Sequence, residues 1–151
     1  MAQGSFSAQM SAWTRETKER MRAVHRGSAQ AVVELMQTPR GTGGNLRVDT
    51  GFLRASLVAT TGAALPAQTF KPDGVKAFAY DAGPINLVIA NADIKDPITA
   101  VYTANYARPR EYGARGHAAD RWVALAAQRW PQVVQQECAK AQASVASRSG
   151  V

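Results

Sequence analysis

The side chains that could act as nucleophiles, bases or metal ligands are few in this sequence, and they lie far apart. His25 and His117 are its two histidines, and Cys138 is its single cysteine. Neither histidine has a second ligand at the i, i+4 spacing that places two metal ligands on one helix face. The chain also lacks a Gly-x-Ser-x-Gly turn, a His-Glu-x-x-His motif and a dinucleotide-binding glycine pattern. The sequence therefore predicts a protein that is not an enzyme and that binds no cofactor or metal.

Glu111 is the acidic residue whose neighbours suggest a role, because Arg108, Arg110 and Arg115 flank it. One interpretation is a partly exposed ion pair that contributes less than about 1 kcal/mol. The other is a bidentate contact between the carboxylate and an arginine, which would fix a strand-to-helix corner or bridge two subunits. The residue types alone leave both interpretations open.

A glycine-rich loop that carries two arginines is predicted over residues 39–48, and we expect it to be flexible. A phosphate-binding loop would need a terminal Gly-Lys-Ser/Thr after a strand, and both are missing. Asp49 or Thr50 then offers a side-chain oxygen to the free amides of a short helix near residues 50–57. We expect Phe52 on this helix to face the core.

A long amphipathic helix must position these segments. Over residues 5–37, apolar side chains recur at spacings near three and four residues, which predicts a helix with one apolar stripe that ends before Pro39. Gly27 is its expected weak point. A helix of about 30 residues is about 45 Å long, longer than a compact domain of this size, so part of the stripe must pack on something outside its own core. A neighbouring subunit is the natural candidate. The stripe contains Phe6, Met10, Trp13, Met21, Val24, Val32, Leu35 and Met36.

The middle of the chain is β-prone. Residues 57–61, 87–90 and 98–103 are predicted strands separated by Pro- and Gly-containing turns, with a further short strand within residues 75–80. A long mobile loop is expected around residues 62–74. The predicted fold class is α+β, in which the long N-terminal helix and a C-terminal helix pack on a small, mostly antiparallel sheet of three to four strands.

Helical periodicity returns over residues 118–147, and Cys138 is expected to be a small buried residue there. An interior proline deletes a backbone hydrogen bond, so Pro131 predicts either two helices meeting at Trp130 or one bent helix. Asp120 lies where a negative charge favours a helix N-terminus. Residues 147–151 are expected to fray.

Composition predicts one folded domain over residues 1–151, because 46% of the residues are hydrophobic and 19% are charged. The net charge is +7 and lies at the two ends: residues 1–40 hold six basic and three acidic side chains, and residues 106–151 hold seven and three. This excess favours contact with polyanions such as DNA but is too diffuse to define a site. No signal-peptide pattern and no run of about 18 apolar residues occurs, so we expect cytoplasmic synthesis and no membrane contact.

Three segments carry a resemblance to a known family: residues 36–44 (Met-Gln-Thr-Pro-Arg-Gly-Thr-Gly-Gly), 48–57 (Val-Asp-Thr-Gly-Phe-Leu-Arg-Ala-Ser-Leu) and 105–113 (Asn-Tyr-Ala-Arg-Pro-Arg-Glu-Tyr-Gly). With them, the chain resembles the tail-completion or tail-component proteins of siphophages, which occupy the neck between the portal complex and the tail tube. The order of the expected elements is similar too, so the resemblance covers nearly the whole chain. Residues 116–122 depart from the Pro-Phe-Leu-x-Pro-Ala-like segment of many family members, which leaves the neck role open.

The resemblance implies a structural virion protein of the head–tail junction, made in the host cytoplasm. It would form a ring, implied to be a hexamer, at the head-proximal end of the tail, so that the tail attaches to the DNA-filled head. Its partners would be its own copies, the tail terminator, the head-closure or connector protein and the tail tube, with non-specific contact to genomic DNA in the channel. The candidate interface residues are Phe6, Met10, Trp13, Arg40, Arg47, Asp49, Phe52, Arg54, Tyr106, Arg108, Arg110, Glu111 and Tyr112.

Other interpretations stay open. The chain could be the tail terminator or the head-closure (stopper) protein of the same neck. Its charge also motivates a sequence-independent nucleic-acid-binding protein, whose affinity would fall steeply with salt. A small hydrolase that uses Asp49, Glu111 or His117 is the remaining alternative.

Overall fold

The computed structural model describes residues 4–149, and within them it contains six α-helices, one 3₁₀ turn and a two-stranded antiparallel sheet. In chain order the elements are α1 (Phe6–Gln37), the 3₁₀ turn (Arg40–Thr42), α2 (Phe52–Ala55), β1 (Leu57–Thr60), α3 (Gly83–Asn91), β2 (Thr99–Tyr102), α4 (Ala107–Tyr112), α5 (Trp122–Gln128) and α6 (Trp130–Ser149). The mixed α and β composition, the long first helix and the short helix near residue 52 agree with the sequence prediction.

The first helix has the bounds that the sequence predicts. Ser5 is its N-cap, because the Ser5 hydroxyl accepts a hydrogen bond from the Ala8 amide at 3.3 Å. The helix ends at Gln37, since Thr38 is extended before Pro39. A helix of 32 residues is about 48 Å long at 1.5 Å per residue.

The sheet is smaller than predicted. Strand β1 pairs with β2 in antiparallel register, with Leu57 opposite Tyr102, and the predicted three to four strands are not confirmed. Residues 87–90, predicted as a strand, lie in α3. Pro84 sits in the first turn of that helix, where its missing N–H costs nothing. A short apolar run does not distinguish a strand from a buried helix, so the sequence pattern was misleading there.

Residues 61–82 form an irregular connection that includes the predicted loop at 62–74, and the expected strand within 75–80 is not present in it. The connection is tied down at two points. Thr69 donates its amide to the carbonyl of Thr103 at 2.7 Å and accepts from the Asn105 amide at 2.9 Å. Further along, the Phe78 amide donates to the Thr50 carbonyl at 2.8 Å.

The glycine-rich loop at 39–48 folds back on the end of α1. The Leu46 amide donates to the Thr38 carbonyl at 3.3 Å, and the Arg40 amide donates to the Leu46 carbonyl at 2.9 Å. Leu46 is fully buried. The loop is therefore attached to the core by one apolar side chain near its C-terminal end.

The core is assembled from the C-terminal half of α1, the two strands and the shorter helices. Edge-to-face ring pairs join Tyr102 to Trp122 at 5.3 Å and Phe52 to Phe78 at 5.0 Å between ring centroids. The buried apolar residues of this cluster are Val33, Met36, Leu46, Phe52, Leu53, Leu57, Ala59, Ile85, Ile89, Ala104, Ala107, Trp122 and Ala126.

The C-terminal region consists of two helices that meet at Trp130, one of the two arrangements that Pro131 predicts. Helix α6 packs mainly against α1, not on the sheet as expected. Arg129 lies beside Leu35, and Glu137 lies against Gly27, so α6 runs antiparallel to α1. The helix continues to Ser149, and the rest of the segment predicted to fray lies outside the described residues. Between residues 4 and 149, no helix combines the length and the hydropathy that crossing a membrane would need.

Candidate functional site

Two of the sequence motifs meet in one polar cleft. Arg47, Asp49 and Arg54 enter it from the segment around α2, and Tyr106 and Arg110 enter it from the segment around α4. The cleft has a volume of about 380 Å³. The remaining lining residues are Thr50, Gly51, Leu53, Lys71, Pro109, His117 and Asp120.

Glu111 fixes the corner between α4 and α5, but not through an arginine. Its carboxylate accepts hydrogen bonds from the amides of Val123 at 3.0 Å and Ala124 at 2.8 Å, two of the free N–H groups at the start of α5. Within residues 4–149 no ion pair joins Glu111 to an arginine, so both the partly exposed ion pair and the bidentate arginine contact proposed from sequence are wrong. The carboxylate is buried and acts as a helix cap.

Asp120, expected to stabilise the start of a helix, instead pairs with two arginines of the glycine loop. Its Oδ1 atom lies 3.0 Å from Arg40 and 3.4 Å from Arg47. The side chain of Asp120 is 3% exposed, whereas those of the arginines are 46% and 52% exposed. Because residue 121 is the N-cap of α5, Asp120 lies outside the helix and ties the loop to it.

Two tyrosines, Tyr102 and Tyr106, pack against the buried core. Burial raises the pKa of the Tyr106 hydroxyl, which the N–H of Leu53 and the charge of Arg110 partly oppose. Burial also raises the pKa of Tyr102, whose hydroxyl donates to Gln37 Oε1 at 2.9 Å.

Arg54 is held from three sides. Its Nε donates to the Gln37 carbonyl at 3.0 Å, while Gln37 Nε2 donates back to the Arg54 carbonyl at 2.9 Å. The Arg54 guanidinium also stacks 5.1 Å from the ring centroid of Tyr80. The short helix α2 is thereby locked to the end of α1.

The middle of α1 is tied to the loop after α3. The Arg22 guanidinium pairs with the Asp93 carboxylate at 2.9 Å, and Arg26 donates to the Ala92 carbonyl at 2.8 Å. A hydrogen bond from the Ile94 amide, followed by the contact with Arg22, lowers the pKa of Asp93. Between these arginines in the sequence, the Nε2 atom of the partly buried His25 lies 3.1 Å from the Asp96 carbonyl oxygen.

The N-terminal half of α1 leaves its apolar side chains uncovered. Phe6 is 79% exposed, Met10 45%, Trp13 59% and Met21 55%. These four residues are the exposed part of the stripe predicted from sequence, and from here on they are named the apolar stripe. They lie at helical spacing on one face of α1. Isolated exposed apolar residues are common in soluble proteins, but a contiguous set of large ones marks an interaction surface.

An apolar groove of about 780 Å³ continues from this stripe, between α1 and α6. Met21 belongs to both the stripe and the groove, and Ser28 lies at its other end on α1 with a buried hydroxyl that has no partner within the described residues. The lining is Thr17, Arg20, Met21, Val24, His25, Ser28, Trp130, Val134, Cys138, Ala141, Gln142, Val145 and Ala146, named the α1–α6 groove below.

Comparison with family models, with curated proteins and with solved structures finds no match for this chain.

The structure separates the predicted interface residues into four groups. Phe6, Met10 and Trp13 belong to the apolar stripe; Phe52 and Glu111 are buried; and Arg108 and Tyr112 are exposed on α4. The others lie in or beside the polar cleft: Arg40, Arg47, Asp49, Arg54, Tyr106 and Arg110.

Sequence reasoning missed the face that α6 presents to the groove. Trp130, Val134, Cys138 and Ala141 recur at spacings of three and four along α6. Cys138, which was expected to be a small buried residue, is instead partly exposed, and Trp130 is 45% exposed. The sequence signal that could have shown this exposure is the combined length of the apolar faces of α1 and α6. One small core cannot cover both faces.

The described residues also bear on metal binding and on the hydrolase alternative. In residues 4–149 no three His, Cys, Asp or Glu side chains gather closely enough to hold a metal ion. Asp49 and His117 line the same cleft, whereas both carboxylate oxygens of Glu111 are engaged by backbone amides.

Proposed function

We propose that this chain is a structural virion protein of a tailed-phage neck, a tail-completion or head–tail joining protein that assembles into a ring at the head-proximal end of the tail. The observation that carries the proposal is the uncovered apolar stripe on the N-terminal half of α1. Phe6, Met10 and Trp13 have no cover within the described chain, and their burial in an assembly would provide a hydrophobic driving force.

The motif segments that carry the family resemblance support the same proposal by their rigidity. Glu111 caps α5, Asp120 holds the glycine loop, and Arg54 joins α2 to α1. These contacts fix the positions of the residues around the polar cleft. An interface that must match a neighbouring ring requires such a rigid scaffold. The role in this proposal is one of shape and contact, without a catalytic step.

The experiment is native mass spectrometry and electron microscopy of the purified protein, alone and mixed with tail tubes or with portal connectors. A ring that caps the tubes supports tail completion. A ring that binds only connectors supports the head-closure alternative, and a strictly monomeric protein without affinity for either particle contradicts the proposal.

Two variants sharpen this test. Trp13→Glu places a charge on the apolar stripe and should abolish capping. Ala8→Glu adds the same charge two residues after Phe6 on a different face of α1, and should leave capping intact. A gel shift with duplex DNA covers the nucleic-acid alternative, since tight, salt-sensitive binding by a monomer would favour that function.

A further inference from the structure

We infer that the N-terminal segment of one copy, residues 5–16 of the chain, docks Phe6, Met10 and Trp13 of its apolar stripe into the α1–α6 groove of the next copy. This inference rests on the proposed self-assembly and names the two surfaces that would form each contact of the ring.

The donor surface has the spacing of a helix that binds in a groove. Phe6, Met10 and Trp13 occupy positions i, i+4 and i+7, so their side chains project from one face of α1. Residues 4–14 contain no Asp, Glu, Lys, Arg or His. The segment can therefore enter an apolar environment without removing a charge from water.

The acceptor surface matches the donor in chemistry and in length. The groove walls carry Met21 and Val24 of α1 and Val134, Cys138 and Ala141 of α6. From Thr17 to Ser28 the α1 wall extends for about 17 Å, and the donor anchors from residue 6 to residue 13 span about 11 Å at the helical rise. The groove is long enough for all three anchors.

A second copy of the chain is the partner that fits the groove, because each chain carries both surfaces. The donor residues lie near the start of α1, and the groove lies beside residues 17–28 of the same helix. A continuous α1 prevents the segment from folding back into its own groove. A contact between two different surfaces of identical chains is heterologous, and its repetition closes into a ring or extends as a filament. Binding to a lipid surface or to nucleic acid favours cations beside the anchors, whereas residues 4–14 carry none and the cations that follow, Arg15 and Lys18, alternate with Glu16 and Glu19.

The native Cys138 in the groove provides a direct test. Met10→Cys places a second thiol on the stripe, and mild oxidation should link it to Cys138 of another copy. Because the contact is heterologous, the products on a non-reducing gel should form a ladder beyond the dimer. Ala8→Cys, on a different face of the same segment, is the matched control and should give at least tenfold less product.

The double variant Met10→Cys/Cys138→Ser decides between two modes of association. Loss of the ladder in this variant supports docking in the groove. A dimer that persists without Cys138 means that two stripes pair with each other, which overturns the inference. Equal products from Met10→Cys and Ala8→Cys, or a protein that stays monomeric and forms no product, overturn it as well.

A second measurement separates this inference from the proposed function. Val134→Glu places a charge on the wall of the groove, at a partly buried position, and should prevent docking. Circular dichroism checks that the variant is folded. Rings that cap tails although Val134→Glu is present would leave the neck assignment intact and refute the docking mode. A Cys138-dependent ladder from a protein that binds neither tails nor connectors would support the docking mode and refute the neck assignment.

Discussion

The carboxylate of Glu111 accepts a hydrogen bond from the backbone amide of Ala124 at 2.8 Å, and its second oxygen accepts from Val123 at 3.0 Å. One side chain of α4 thus satisfies two of the free amides at the start of α5. The capping residue is far from the helix in sequence, so it fixes the angle between two elements as well as the helix end. The turn between them, residues 113–121, is closed by this contact.

Glu111→Gln should lower the free energy of unfolding by about 1–2 kcal/mol, because the amide side chain keeps one acceptor and loses the negative charge at the helix end. For a protein of this size each kcal/mol corresponds to a fall in Tm of about 2–4 °C. Thermal and urea unfolding measure the change. Glu19→Gln, at an exposed position on α1, is the control, and an equal effect in both variants would contradict the capping role.

Removing the two arginines should cost more than neutralising Asp120. Asp120→Asn leaves two half-exposed arginines that water can solvate, so the expected loss is about 1 kcal/mol or less. The double variant Arg40→Ala/Arg47→Ala leaves a buried carboxylate without a cation, and we expect a loss of about 1–3 kcal/mol. Urea unfolding of both variants tests the order, and the reverse order would refute the ion-pair account.

Gly44→Ala should destabilise the glycine loop, because a Cβ atom at residue 44 would collide with the backbone carbonyl of Thr38. Backbone cannot move aside as the end of a side chain can, so we expect a loss of about 2 kcal/mol or more. Gly41→Ala is the matched control, since a Cβ atom there meets open space. Denaturant midpoints compare the two, and similar midpoints would show that the loop does not pack on Thr38.

Stability should fall as the pH rises above about 10, in part through Tyr102. Burial raises the pKa of Tyr102 in the folded protein, so the unfolded chain releases this proton first. Above the unfolded pKa the folded state binds more protons, and linkage then makes the free energy of unfolding decrease with rising pH. At pH 11 this contribution is about 1 kcal/mol.

The measurement is the difference in urea-unfolding free energy between pH 8 and pH 11 for the wild type and for Tyr102→Phe. The variant loses the hydroxyl that bonds Gln37, so it should be less stable at pH 8 and less sensitive to the pH change. Tyr112→Phe alters a 75% exposed side chain and serves as the control. An unchanged pH dependence in Tyr102→Phe would show that another group is responsible.

Local patterns were sufficient for several elements. The spacing of apolar residues predicted α1, and Thr38-Pro39 predicted its end, because both depend on contacts within a few residues. The β-prone segments at β1 and β2 were also correct. The strand predicted at 87–90 was wrong, because a short apolar run occurs both in a buried helix such as α3 and in a strand.

The roles of the charged residues illustrate what local patterns do not contain. Glu111 was matched to its neighbouring arginines and Asp120 to the following helix, since those are their neighbours in the chain. In the fold, Glu111 caps α5 and Asp120 pairs with Arg40, 80 residues away. Capping and ion-pair partners depend on which elements the core brings together.

The sequence by itself determined that the chain has a long first helix with an apolar stripe, a mixed α and β composition and a scarcity of catalytic groups, because each of these follows from residue types and short-range spacing. Only the tertiary structure decided which part of the stripe stays uncovered. Helix α6 runs antiparallel to α1 and packs beside its middle part, leaving Phe6, Met10 and Trp13 exposed. Burial depends on the position of distant elements, and a periodic pattern specifies a face of a helix without specifying what packs on it.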